Sequence, residues 1–278
     1  MNQPIPLLYD GHMHTPLCKH ARGEPEEYAA AAARRGLAGI VITCHNPGPT
    51  ADWSSHVRMS MNQFDEYVDM VARARETWYG RVDVRLGLEC DYVPGMETWL
   101  ESLLNRAEFH HVLGSIHPQL DYYRAVYDHG DPFTFQQTYF DHLAQSAESG
   151  LFDTLAHPDL VKNVFPQDWR MDRLLDDVRR SLDRIAATGV ALELNTSGLQ
   201  KRIREMNPNP TMLAEMQIRN IPVAIGSDAH DPHRVAADFL PAMDLLADAG
   251  YANISFFLNR QRHDVSLAAA RASLAVMA

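Results

Sequence analysis

The chain has 278 residues, of which 46% are hydrophobic and 22% charged, with a formal net charge of −11. That length supports a large core without disulfides, and three cysteines (Cys18, Cys44, Cys90) with no paired spacing argue against a disulfide framework. The acidic balance disfavours broad nucleic-acid or membrane-surface binding. No signal peptide opens the chain, and no apolar stretch approaches the roughly 20 residues of a membrane span, so a cytoplasmic protein is expected.

Short apolar runs then alternate with helical patterns. The first strand candidate, LLYDGHMHT, is followed by EPEEYAAAAARRG, a helix opened by acids and Pro25, closed by Arg34 and Arg35, and stopped at Gly36. GIVITCH is the second strand, and a long irregular loop, NPGPTADWSSHVRMS, leads to a helix over about 61–79. DVRLGLECDYV, a helix over about 96–107 and HVLGSIH come next, then a second irregular loop, HPQLDYYRAVYDHGDP. Loops of this length in compact domains are often functional. A helix over about 133–148 precedes the fifth strand, LFDTLAHP, and one over about 171–188 precedes the sixth, VALELNT. A helix near 210–220 leads to PVAIGSDAH, and helices near 236–249 and 265–277 close the chain. Near-continuous Val/Ile/Leu runs are the mark of parallel strands buried on both faces. The alternation predicts a parallel α/β architecture in one domain, residues 1–278, either a closed barrel or an open sheet.

The polar residues decide between the two. The seven runs carry His12 and His14, His45, Glu89, His117, His157, Glu193 with Asn195, and Asp228 with His230, each at or near its C-terminal edge. In a barrel those edges converge on one face, whereas an open sheet would spread them along a line. His12 and His14 project from the same face of a strand, as do Asp228 and His230. Closure of the first run against the last would bring the two pairs together. A buried Glu89 or Asp228 without a cation is costly. The metal reading therefore outweighs the separate histidine-by-histidine alternatives, and with His20 the candidate ligands number nine. Two or three divalent ions fit that number better than one. Three such ions against two carboxylates would leave a positive site inside an acidic protein, so phosphate esters are the expected substrates.

The segments DGHMHTPLCKHARG, GLECDYVPG, GSIHP, AHPDL, LELNTSGL and AIGSDAH, with His45, resemble the polymerase and histidinol phosphatase (PHP) superfamily, and within it the histidinol-phosphate phosphatases. The resemblance implies a distorted (β/α)7 TIM-like barrel with a trinuclear metal centre of zinc, manganese or iron. His12, His14, Glu89 and Asp228 would surround the first ion. Glu89 would bridge to a second, held also by His117 and His157, while His20, His45 and His230 would hold the third. It further implies hydrolysis of L-histidinol phosphate to L-histidinol and phosphate by a metal-bridging hydroxide, with Glu89 and Asp228 as the catalytic carboxylates. Gln200, Arg202 and Asn207 depart from the family's usual run after the sixth strand. A PHP-type phosphoesterase acting on a cyclic phosphate, phosphodiester or nucleotide is thus the alternative, with an amidohydrolase-type enzyme behind it. Candidate substrate contacts on the same face are Lys162, Asn195, Lys201, Arg202 and Arg22. Glu193 is read as an equal candidate for a structural partner of a barrel lysine or arginine.

Overall fold

The computed structural model describes residues 7–50, 53 and 55–274. The seven expected strands are β1 (Tyr9–Asp10), β2 (Gly39–Ile42), β3 (Asp83–Asp91), β4 (His111–Ser115), β5 (Thr154–Leu155), β6 (Ala191–Asn195) and β7 (Val223–Gly226). Each pairs parallel to the next in chain order. β2, β4, β6 and β7 are buried along their whole length; β2 and β7 accordingly read as unbroken apolar runs, while β4 and β6 also bury polar residues (His111, Ser115, Glu193 and Asn195).

Beyond β1 and β7 the chain closes on itself. Met13 and Ala229 form a parallel bridge in which the His14 N–H donates to the Ala229 carbonyl (2.9 Å) and the Ala229 N–H to that of His12 (3.2 Å). The result is a distorted (β/α)7 barrel whose seam is joined beside the two predicted ligand pairs.

The helices pack outside. They are α1 (Pro25–Arg34), α2 (Phe64–Thr77), α3 (Glu97–Leu104), α4 (Asp121–Tyr127), α5 (Pro132–Glu148), α6 (Met171–Thr188), α7 (Pro210–Ile218), α8 (Phe239–Asp248) and α9 (Leu267–Ser273). α1 starts at a reciprocal cap between Glu24 and Glu27. In α6 the buried Leu174, Val178, Ser181, Leu182 and Ile185 follow helical spacing and form its inward stripe. Among the described residues no helix is long and apolar enough to cross a membrane.

Two expectations need correction. The segment after His117, read as an irregular loop, contains α4. The last helix, expected over about 265–277, begins only at Leu267. Ahead of it lies a hairpin of β8 (Asn253–Leu258) and β9 (Gln261–Ser266), turning through Asn259 and Arg260 with φ of 52° and 61°. Two left-handed turn residues match the twist of a tight hairpin. β8 pairs parallel with β7 at Ala224↔Ser255. Its Phe256 stacks on Tyr9 of β1 (4.9 Å), the Arg260 N–H reaches the His110 carbonyl (3.0 Å), and the Arg260 guanidinium holds Asp153 (2.6 Å). The hairpin thus runs beneath the barrel, from the β7/β1 seam to the start of β4 and β5, and leaves the opposite mouth to the polar strand ends.

Candidate metal centre

All nine candidate ligands meet at that mouth. Glu89 is fully buried at the centre, and its neighbours are imidazoles rather than lysines or arginines. Glu89 Oε2 lies 2.5 Å from His45 Nδ1, 3.5 Å from His12 Nε2 and 3.7 Å from His14 Nε2, while Oε1 lies 3.1 Å from His157 Nε2 and 3.5 Å from His117 Nε2. Asp228 Oδ1 completes the first group, 3.1 Å from His14 Nε2 and 3.6 Å from His12 Nε2. Two of these positions carry unusual backbone: His157 and Asp228 have φ of 31° and 49°. A side chain resists that left-handed region, which persists only where surrounding structure imposes it, as it does at functional sites.

The outer group is His20 and His230, whose Nε2 atoms face each other at 2.9 Å. Each Nδ1 already donates to a carbonyl, His20 to Cys18 O (2.7 Å) and His230 to Asp228 O (3.0 Å). Both Nε2 atoms therefore present lone pairs to each other, an arrangement that needs a cation between them. Burial, reinforced by His14, drives His230 down to about 3, which keeps it neutral and able to ligate. The His45 ring links this group to the inner one, with its centroid 5.4 Å from that of His20 and 5.1 Å from that of His117.

The donor set fits divalent metal. Of the atoms that face one another here, His12 Nε2, His45 Nδ1 and Glu89 Oε2 are buried and make no hydrogen bond of good geometry. Buried polar atoms left unpartnered in such number are otherwise costly. Imidazole and carboxylate donors suit zinc, manganese or iron. A histidine triad of His14, His45 and His230, and mixed sets of His12, His14 and Asp228 or of His45, Glu89 and His117, bring one donor atom each within 4.8 Å of the others.

The residues behind the ligands are those the sequence reading missed. Glu193, expected as an equal candidate for pairing with a lysine or arginine, instead accepts from His12 Nδ1 at 2.7 Å. Its other oxygen accepts from the His157 N–H and the Asn195 amide, both at 2.9 Å. This fixes His12 with Nε2 free to ligate. Asp91 does the same for His117 (Nδ1–Oδ1 2.6 Å) and is itself gripped by both arms of the buried Arg58, at 2.7 and 2.8 Å. Burial opposes the Asp91 charge, but Arg58 and then His117 outweigh it and hold the carboxyl at about 2. A sequence signal existed for Asp91: it lies two residues after Glu89 on one strand and so shares its face. Arg58 sits in a loop and had none.

The substrate candidates divide. Lys162 is a correction: its ammonium is fully buried and satisfied by Asp159 (3.0 Å), Glu205 (3.1 Å) and the Met206 carbonyl (2.8 Å), so it has no donor left for a ligand. Asn195 is also corrected, because its amide is buried and spent on Glu193 and on the Ser197 N–H and hydroxyl. Lys201 and Arg22 do reach the mouth, lining an open cleft with His20, Ser197, Asp228 and His230. Lys201 Nζ lies 3.6 Å from Asp228 Oδ2, and Arg22 is exposed and paired with Asp231 at 2.5 Å. Arg202 is exposed and makes no ion pair or side-chain hydrogen bond among the described residues.

A PHP domain model matches residues 10–197. The "Probable histidinol-phosphatase" of Deinococcus radiodurans is 36% identical over 261 residues, covering 90% of this chain and 96% of that one. The histidinol-phosphatase of Bacillus subtilis is 26% identical over 250 residues, covering 80% and 92%. Among solved structures, the histidinol phosphate phosphatase of Lactococcus lactis, complexed with zinc, L-histidinol and phosphate, is similar with a TM-score of 0.76 at 18% identity, covering 92% of this chain and 98% of that one. With the model spanning well over half of its length and a relative this similar over nearly all of it, the chain belongs to the PHP domain family.

Proposed function

We propose that this chain is a metal-dependent phosphatase that hydrolyses L-histidinol phosphate to L-histidinol and phosphate. The observation that carries the reading is the set of buried, unpartnered imidazole and carboxylate atoms around Glu89, opening onto a cleft with Lys201 and Arg22 at its rim. The relatives' names support the substrate, the match covering almost the whole of the Deinococcus protein. His12, His14, Glu89 and Asp228 would hold one ion, Glu89 with His117 and His157 a second, and His20, His45 and His230 a third, as zinc, manganese or iron. Bound divalent ions supply positive charge to the phosphoryl oxygens and acidify water at neutral pH.

The chain's own residues do the rest. Lys201 brings a cation to the rim beside Asp228, where it neutralises an entering phosphate. Arg22 offers a second cation in the same cleft. Asp228 keeps Oδ1 toward His12 and His14, while Oδ2 accepts from the Ser197 hydroxyl (2.8 Å) and faces Lys201, so that oxygen is placed to carry a proton toward the leaving alkoxide. Lys162 and Asn195 act at one remove: Lys162 ties Asp159 to the Glu205–Met206 segment, and Asn195 braces Ser197, together holding the loop that presents Lys201.

The test is a substrate panel with zinc- or manganese-loaded protein: L-histidinol phosphate, a simple aryl phosphate, a cyclic phosphodiester and a hydantoin. The expected result is a kcat/KM for L-histidinol phosphate of about 10⁴ M⁻¹s⁻¹ or above, far over the other three. Diester hydrolysis without monoester turnover would overturn the substrate and favour a phosphodiesterase of the same fold.

A further inference from the structure

All three cysteines are buried and free, but two of them adjoin the centre. A ring nitrogen of His14, Cys18 Sγ and Cys44 Sγ lie within 4.8 Å of one another. His14 Nε2 faces Asp228 and Glu89, so Nδ1 is the nitrogen turned toward the sulfurs, and it has no hydrogen-bond partner. The equivalent nitrogens of His12 and His117 rest on Glu193 and Asp91. A ligating imidazole generally needs such an acceptor behind it, and behind His14 that place is taken by sulfur. Cys44 is held there by the Thr15 hydroxyl, which donates to Sγ at 3.2 Å. Cys18 lies two residues before His20, and Cys44 immediately before His45, so the two thiols sit on the two segments that deliver those ligands.

We infer that Cys18 and Cys44 are an oxidation site that controls how firmly the centre holds metal. A peroxide converts the two thiols to a disulfide: the S–S bond forms, the O–O bond breaks, the sulfurs are oxidised and the oxygens reduced, and the thiol protons leave in two water molecules. The disulfide draws Cys44 Sγ off His14 and ties the His20 and His45 segments together, weakening the backing of one ligand and displacing two others. Disulfides of this kind in reducing compartments are typically transient and redox-sensing. The inference rests on reading His14 as a metal ligand.

The experiment uses the full zinc-loaded chain, since zinc has no redox chemistry of its own. Hydrogen peroxide is added, non-reduced peptides are mapped by mass, and zinc affinity is read by competition with a chromophoric chelator. The expected result is a Cys18–Cys44 cross-linked peptide with Cys90 free, and a fall in zinc affinity of about 10- to 100-fold. Both changes should reverse with dithiothreitol, and Cys18→Ser should keep its zinc affinity under the same treatment. Absence of the cross-link, a cross-link with unchanged zinc affinity, or an equal loss in Cys18→Ser would overturn the inference. Untreated protein that binds no zinc would instead overturn the metal-centre reading, while the peptide map still reports on the thiols.

Discussion

Replacing Glu193 by glutamine tests how far the centre depends on what stands behind its ligands. The carboxylate accepts three hydrogen bonds, from His12 Nδ1, the His157 N–H and the Asn195 amide, and is almost fully buried. Glutamine has the same shape but one acceptor oxygen. If that oxygen stays on His12, the new NH₂ faces two donors and leaves two buried N–H groups unpaired, at about 1–3 kcal/mol each. If the amide turns over, its NH₂ meets His12 Nδ1, which must then give up its proton to Nε2, the nitrogen aimed at Glu89 and Asp228. Ligation by His12 is then blocked. Glu193→Gln should therefore lose roughly 2–6 kcal/mol of stability or about 10- to 100-fold in metal affinity, and in either case activity falls. Urea unfolding and zinc competition titration on the same protein measure both. A variant within about 0.5 kcal/mol of the parent, the usual range of inert surface changes, and with unaltered zinc affinity would refute the reasoning.

Two further outcomes follow from the same geometry. Arg58→Met leaves Asp91 buried and charged without its partner, so denaturant unfolding should show a loss of about 3–5 kcal/mol, and adding Asp91→Asn should recover part of it. Stripping the metals with a chelator removes the cations that offset Glu89 and Asp228; for sites saturated about 100-fold above Kd, Tm should fall by roughly 5–10 °C in calorimetry and return when zinc or manganese is restored.

The barrel and the clustering of its candidate ligands were legible because a parallel α/β chain writes its mouth at the ends of its apolar runs. Each strand-end histidine or carboxylate was visible beside a buried stretch, and the His12/His14 spacing put both rings toward Glu89 and Asp228, whereas Asp228, in left-handed backbone past the end of β7, lies outside the alternation its spacing to His230 suggested. The residues behind them were harder to see. Arg58 meets Asp91 across 33 positions from a loop with no periodicity, and Glu193 reads the same whether it faces a lysine or an imidazole. Lys162 looked like a phosphate ligand because burial leaves no trace beside a lone basic residue; its carbonyl partner is 44 positions away. The β8–β9 hairpin escaped because β9 is largely exposed and its turn, Asn259–Arg260, lacks the glycine that usually signals one.

The central claim is that phosphate release depends on metal held around Glu89. Elemental analysis of the parent chain and of Glu89→Gln, with hydrolysis of L-histidinol phosphate measured on the same preparations, tests it most directly. The parent should carry about two to three ions per chain and lose activity in step with their removal, and Glu89→Gln should lose at least one ion and with it turnover. A Glu89→Gln protein with full metal content and full activity, or a metal-stripped parent that still hydrolyses the ester, would contradict it.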